Sequence, residues 1–375
     1  VTLTEQPNFQ LQSINGDLRR GGYIVSVLAS DTTNPVVYGQ KVRLSGQSLA
    51  GGIQDAATTL VGDMYVFQTP PFQFDALTRN VTFQIATADQ LLRQGGIQDI
   101  PYDQITPSTN PHQIVSPMRF SDILTEAITN HTNFVYDLTD NPHGIIFDFD
   151  FETTDTNISH YSLPKSRNFW GTITSKLGGG ETGGVQFYRI WFTRRGVMKY
   201  QPAPPFISPA LTSRADFDKS HIFGRPSVTI REPKDQISQV RLSSVGASPG
   251  VTFNSQFPTS TLGPGSPFEK TSGIWAETQA QTDDYAERVY RWLTRPYTVQ
   301  IQVDEGLVLW GDDGAGIELG DMVTITYDGP VENAATGGAM YLDWDEEEFF
   351  VYGINIAYDN ANQVGAATLT LEANN

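Results

Sequence analysis

The chain of 375 residues contains no cysteine. Disulfides and thiolate metal sites are therefore excluded, and the redox compartment is left open. No apolar run reaches the ~18 residues that a membrane-spanning helix needs. No secretory signal pattern is visible, although a start at Val1 rather than Met leaves room for a removed leader. Basic residues are scarce: 24 Lys and Arg stand against 42 Asp and Glu, for a net charge of −18. A basic face is what holds nucleic acid, so this balance argues against sequence-specific DNA binding and against attraction to anionic membranes. The sequons at Asn80, Asn130 and Asn157 read as chance without a secretory signal.

What is present points to turns and strands. The 34 Gly and 22 Pro accompany many Thr, Ser, Gln and Asn, and only 18% of residues are charged. That balance predicts a mainly β protein with a few short helices (α+β), in two or three domains. Residues 21–30, 36–46 and 63–69 are β-branched and aromatic runs broken by Gly, Asn or Pro. Residues 80–94 read as a strand, with Val81, Phe83 and Ile85 alternating, that enters a short helix. Ser121 is a good N-cap for a helix over 121–134, with Leu124 and Ile128 at helical spacing. Residues 165–179 predict a second helix, and 184–200 a hairpin turning near Arg195-Gly196. Pro-rich 201–214 reads as a linker or strap, and Gly/Pro-rich 255–270 as a long exposed loop. The strongest helix spans 283–294, where Tyr285, Val289 and Leu293 form one stripe and Pro296 closes it. Leu319-Gly320-Asp321 predicts a tight turn into a strand, with Gly320 at positive φ and Asp321 bonding its own turn.

The chemistry-bearing pattern is HGIIFDFDFETTDTN, residues 143–157. Asp148, Asp150 and Glu152 alternate with Phe147, Phe149 and Phe151, so on a strand the acids share one face and the rings the other. Crowded carboxylates can yield a general acid. The run resembles the acid motif of chitinase-type glycosidases, which sits in a (β/α)8 barrel. That barrel needs strand and helix alternating eight times, whereas the hundred residues before this run are nearly all β. His143-Gly144 and Phe151 also stand where that family carries Asp-Gly and Trp. The acids therefore read as the polar face of an amphipathic strand.

Other candidate sites are weaker. His112, His131, His143, His160 and His221 show no ligand spacing, and neither DNPHG (140–144) nor WGDDGAG (310–316) is a calcium loop. GGGETGG (178–184) does not lie between a strand and a long helix, so it is no phosphate loop. DWDEEEFF (343–350) reads as a solvated hairpin tip.

The order of segments carries a family resemblance. DDYAERVYRWLTRPY is followed by TVQIQVD, then IELGDMVTITYDG with Leu319, Gly320, Asp321 and Val323, then EFFVYGINIAYD and GAATLTLEA. This order resembles the second tube domain of tail hub proteins from tailed bacteriophages and related tail-like particles. NVTFQIATADQLL resembles the close of the first hub domain, and FSDILTEAI with NFWGTITSKL and FYRIWFTRRGVMKY resembles the middle.

The resemblance implies a tube-like β-barrel domain over 1–115, a mixed α/β middle over 116–215 and a second tube-like barrel over 216–375. It implies a structural, non-enzymatic homotrimer at the distal end of the virion tail, joining a sixfold tail tube to the tip or baseplate. Expected partners are the tail tube or distal tail protein and tip, spike or fibre proteins. DNA passes through without specific binding, nothing inserts in a membrane, and no catalytic, metal or cofactor residue is assigned. Asp343, Asp345, Glu346, Glu347 and Glu348 are the acids expected at the channel or its rim. Two other readings stay open: a glycoside hydrolase using Asp148, Asp150 and Glu152, and a β-rich glycan-binding adhesin using exposed Trp191 or Trp275.

Overall fold

The computed structural model describes residues 9–18, 20–29, 41–46, 58–66, 73–75, 80–94, 113–119, 121–122, 124–125, 128, 148–151, 157–160, 168–176, 188–202, 212–230, 237–245, 252–259, 266–270, 278–294, 297–310, 316–359 and 364–373. The fold is mainly β with short helices. The strands of the N-terminal part are β1 (Phe9–Asp17), β2 (Gly22–Ala29), β3 (Lys41–Gly46), β4 (Thr58–Val66), β5 (Gln73–Asp75) and β6 (Asn80–Ala86), followed by helix α1 (Ala88–Gln94). The middle holds β7 (Gln113–Arg119), β8 (Phe149–Phe151), β9 (Asn157–His160), helix α2 (Phe169–Lys176), β10 (Tyr188–Phe192) and β11 (Met198–Pro202). The described residues of 121–128 are helical, as their spacing predicts. Then come β12 (Asp216–Phe217), β13 (Ser227–Ile230), β14 (Ile237–Val245), β15 (Thr252–Phe257), β16 (Ser266–Lys270), helix α3 (Gln279–Leu293), β17 (Tyr297–Asp304), helix α4 (Glu305–Leu309), β18 (Met322–Asn333), β19 (Ala339–Asp359) and β20 (Val364–Ala373).

One 12-stranded sheet runs β12-β18-β13-β17-β20-β19-β1-β2-β6-β4-β3, with β5 on β6. Because β18 also pairs β19, the strands β13, β17, β20, β19 and β18 close on themselves as a small barrel. The 21-residue β19 pairs β18 through its first half and β1 through its second, Ser13 to Asp17 lying opposite Ala357 to Gly353. Strands from the two ends of the chain thus share one sheet. Alternation sets the inward face. In β17, Val299, Ile301 and Val303 are buried while Gln300, Gln302 and Asp304 are exposed.

Helix α3 lies on a separate sheet of order β15-β14-β16. Tyr285, Ala286 and Val289 pack against Val240 and Leu242. Burial on this scale contributes roughly 1.5–3 kcal/mol for each large apolar side chain. The helix starts at Gln279, four residues ahead of the apolar stripe's own signal, because Thr278 and Gln281 form a reciprocal capping box. The expected loop over 255–270 is corrected. Its ends are strands, with β15 and β16 flanking β14, and Pro267 falls on an edge strand where a missing N–H is tolerated. Most of the expected 201–214 linker lies outside the described residues.

Candidate functional site

The β10–β11 hairpin turns through Arg195-Gly196, as its sequence predicts, with the Thr193 N–H donating to Val197 O at 2.9 Å. Arg194, 1% exposed, is carried inward at that turn. Its guanidinium donates to the carbonyls of Val308 at 3.4 Å and Leu309 at 3.1 Å, at the C-terminus of α4 where a cation is favoured. Its Nε sits 3.4 Å from Glu318 Oε1. The other oxygen of Glu318 accepts from the Tyr23 hydroxyl at 2.8 Å and from the Arg194 N–H at 2.9 Å. The Leu319 N–H then donates to the Tyr23 hydroxyl at 3.1 Å. A buried charge without such partners would cost several kcal/mol, on the order of 3–5. Burial, and next the Glu318 charge, push the Tyr23 phenol well up.

Two tryptophan–glycine contacts clamp the same hairpin. Gly320 has φ +86°, and a β-carbon there would lie 3.0 Å from the Trp191 ring. Gly21 has φ +83°, and a β-carbon there would lie 2.4 Å from the Trp170 ring. The Phe192 N–H donates to Gly21 O at 2.8 Å, and Trp170 packs against Phe192 with ring centroids 5.6 Å apart. Asp321 accepts from the Glu318 N–H at 2.8 Å, which closes the turn as the Leu-Gly-Asp motif predicts. Burial raises its carboxyl to about 6.

A second buried cluster follows β6. The Tyr23 N–H donates to Thr87 Oγ1 at 2.9 Å, and that hydroxyl lies 2.6 Å from Asp89 Oδ1. Gln90 Nε2 donates to Asp89 Oδ2 at 2.7 Å, and Arg93 Nε stands 3.6 Å away. Asp89 is fully buried, and desolvation lifts its carboxyl to about 7. These groups hold geometry rather than face a cleft. The arrangement ties strands of both chain ends to the middle hairpin.

No protein-family model and no curated protein matches the chain. Solved structures do. The tail protein from Neisseria meningitidis MC58 matches with a TM-score of 0.59 at 11% identity, covering 97% of this chain and 92% of that one. The 43 kDa tail protein of prophage MuSo2 from Shewanella oneidensis matches with a TM-score of 0.54 at 11% identity, covering 97% of each chain. The chain has the fold of phage tail proteins. The resemblance read from its segment order holds at the level of fold, and this tail-protein fold takes in the middle of the chain as well as its two ends.

Within the tail-protein fold Asp148 and Asp150, the two described acids of the 148–152 run, are both exposed. Asp148 lies just ahead of β8 and Asp150 on it; β8 pairs in parallel with β11, and Asp150 forms an ion pair with Lys199. Phe149 is 40% exposed, stacking on Phe151 at 4.9 Å, so the expected burial of the ring face is corrected: a three-residue strand has too little cover. Glu152 and Phe147 lie outside the described residues. Trp191, expected as an exposed aromatic, is 3% exposed because it fills the space over Gly320. Trp275 lies outside the described residues. Of the histidines, His221 sits 3.1 Å from Asp218, and no cluster of three His, Asp or Glu fit for a metal occurs among the described residues.

The 343–350 run is not a hairpin tip. It lies inside β19, opposite β18, and the tip is instead Asn333–Gly338, where Asn333 Oδ1 accepts from the Ala335 N–H at 2.9 Å. Glu346 at φ 54° marks a bulge where the register shifts. Asp343, Asp345 and Glu346 are exposed; Glu347 and Glu348 are half-buried. The Tyr297 hydroxyl donates to Glu347 at 3.3 Å, and its ring stacks on Trp344 at 5.9 Å. Burial and then Glu347 raise the Tyr297 phenol to about 12.

Proposed function

We propose that the chain is a structural tail hub protein that forms a homotrimeric ring at the distal end of the tail. The ring joins the sixfold tail tube to the tip or baseplate and lines the channel through which DNA leaves. The observation that carries this reading is the β1·β19 pairing, which sets the N-terminal strands edge to edge with the closed C-terminal barrel. One chain then supplies two strand units side by side, over 1–115 and 216–375, with the 116–215 middle clamped onto both. Three copies match six tube subunits, and ring closure covers strand edges that would otherwise stay open.

The role is non-catalytic: the exposed Asp148 and Asp150 stand on open sheet surface, and the buried acids are spent on packing. Partners in this reading are two further copies, the tail tube or distal tail protein, and tip, spike or fibre proteins. The acids Asp343, Asp345, Glu346, Glu347 and Glu348 are assigned to the channel rim. A negative surface, −18 per chain, does not trap a passing polyanion. Native mass spectrometry tests the assembly: a species at three times 41.4 kDa, alone or on meeting tube ends, supports it, and a monomer under both conditions contradicts it.

A further inference from the structure

We infer that the surface turned to the bore is the sheet face across the β1·β19 seam, a band of amides and hydroxyls, and that double-stranded DNA slides over it on bound water. This inference rests on the hub reading above. Side-chain alternation separates the two faces of the sheet. Ile14, Ile354, Leu369 and Ile301 point into the core. On the opposite face, Asn15, Asn355, Thr368 and Gln302 stand in one row across β1, β19, β20 and β17. Asn15, Asn355 and Gln302 are exposed, and Thr368 is half-buried. The rows on either side add two charges, both acidic: Asp304 on one, Asp17 on the other. No Lys or Arg occupies any position of the three rows. The surface is also hollowed, with an open concavity of about 410 Å³ bordered by Asn15, Asp17, Arg20, Asn355, Thr370 and Glu372, where the Arg20 guanidinium lies 3.7 Å from the Asp17 carboxylate.

A sheet face meant only for bulk solvent mixes Lys, Arg and Glu for solubility. The three rows of this one hold no cation that would release counterions from a duplex and hold it, and Arg20 beside them is met by Asp17. Neutral amides and hydroxyls keep an ordered water layer that bridges weakly to phosphate, with nothing fixed for DNA to stick to. The seam is also where strands of both chain ends meet, so the same band would recur around a closed ring.

The absence of native cysteine makes the test direct. Asn355→Cys, Gln302→Cys and, on the β18–β19 hairpin assigned to the outer rim of the channel, Asp345→Cys are each compared as monomer and as ring. In the ring, Asn355→Cys and Gln302→Cys still react with a small maleimide. They lose reaction with a maleimide carried on a folded protein too large for a DNA-wide bore, while Asp345→Cys keeps it. A ring in which Asn355→Cys and Gln302→Cys react with the large reagent as the monomer does overturns the face assignment and leaves the hub reading standing. Failure to find any ring overturns the hub reading and this inference with it. The double variant Asn355→Arg, Gln302→Arg should give the ring a salt-dependent hold on linear duplex DNA that the unaltered ring lacks. A double-variant ring that passes DNA as freely as the original contradicts the proposed contact.

Discussion

The Tyr23 hydroxyl donates to the Glu318 carboxylate at 2.8 Å, joining residues 295 apart in the chain. Tyr23 belongs to β2 and Glu318 to the turn before β18, and Arg194 of the middle hairpin closes the triangle from the third side. Removing the hydroxyl in Tyr23→Phe leaves Glu318 and the Leu319 N–H each short of a partner. The expected cost is about 1.5–3 kcal/mol, typical for a hydrogen bond to a charged group. Urea unfolding of the purified variant measures it, and an unchanged midpoint would show that the junction does not hold the segments together.

Gly320→Val should lower the melting temperature more than Gly320→Ala does. Left-handed backbone costs an L residue ~1–2 kcal/mol, and any β-carbon also presses on Trp191 at 3.0 Å. The added methyls of valine bring a further overpacking cost of ~1–3 kcal/mol. Equal melting temperatures for Gly320→Ala and the original chain would contradict both terms.

The turn at Gly320 was legible because Leu-Gly-Asp ahead of alternating Val323, Ile325 and Tyr327 encodes a local event. So was the α3 stripe, since Tyr285 and Val289 sit at helical spacing and face β14 as expected. The seam between β1 and β19 was not legible, because nothing local to Asn15 or Asn355 names a partner some 340 residues away. The acid run 343–348 misled for a physical reason. A bulge at Glu346 lets consecutive acids sit within a strand while Trp344 still points into the core. Trp191 gave no sign of its burial, because the space it fills is opened by a glycine 129 positions further on.

The contribution of Asp89 to stability should fall as pH rises from about 4 to about 7. Burial raises the Asp89 carboxyl to about 7 in the folded chain, from an ordinary 3.8. The folded state therefore keeps a proton that the unfolded chain gives up, so stability is fullest below the unfolded value and is lost as pH climbs through the folded one. Asp321, raised to about 6, acts in the same direction. Asp89→Asn should be more stable than the original near neutral pH and above, by up to about 4 kcal/mol, and show no gain at acid pH. A pH-stability slope identical in the two chains would contradict this.

Thr278→Ala should loosen the first turn of α3, because Thr278 Oγ1 accepts from the Gln281 N–H at 3.2 Å and Gln281 answers to the Thr278 N–H at 3.2 Å. A loss of ~0.5–2 kcal/mol is expected. Hydrogen exchange should show faster exchange at 279–283 than in the original chain, and unchanged exchange there would show that packing on β14 alone fixes the helix start.

The central claim is that three copies close a ring in which the two strand-rich ends of each chain alternate to make six. A cryo-EM map of the assembled tail tip tests it most directly. The account predicts threefold symmetry, with six strand units around a bore faced by the Asn15–Asn355–Thr368–Gln302 row and acids at its rim. A monomer, an even-numbered ring, or a bore lined mainly by Lys and Arg would contradict it.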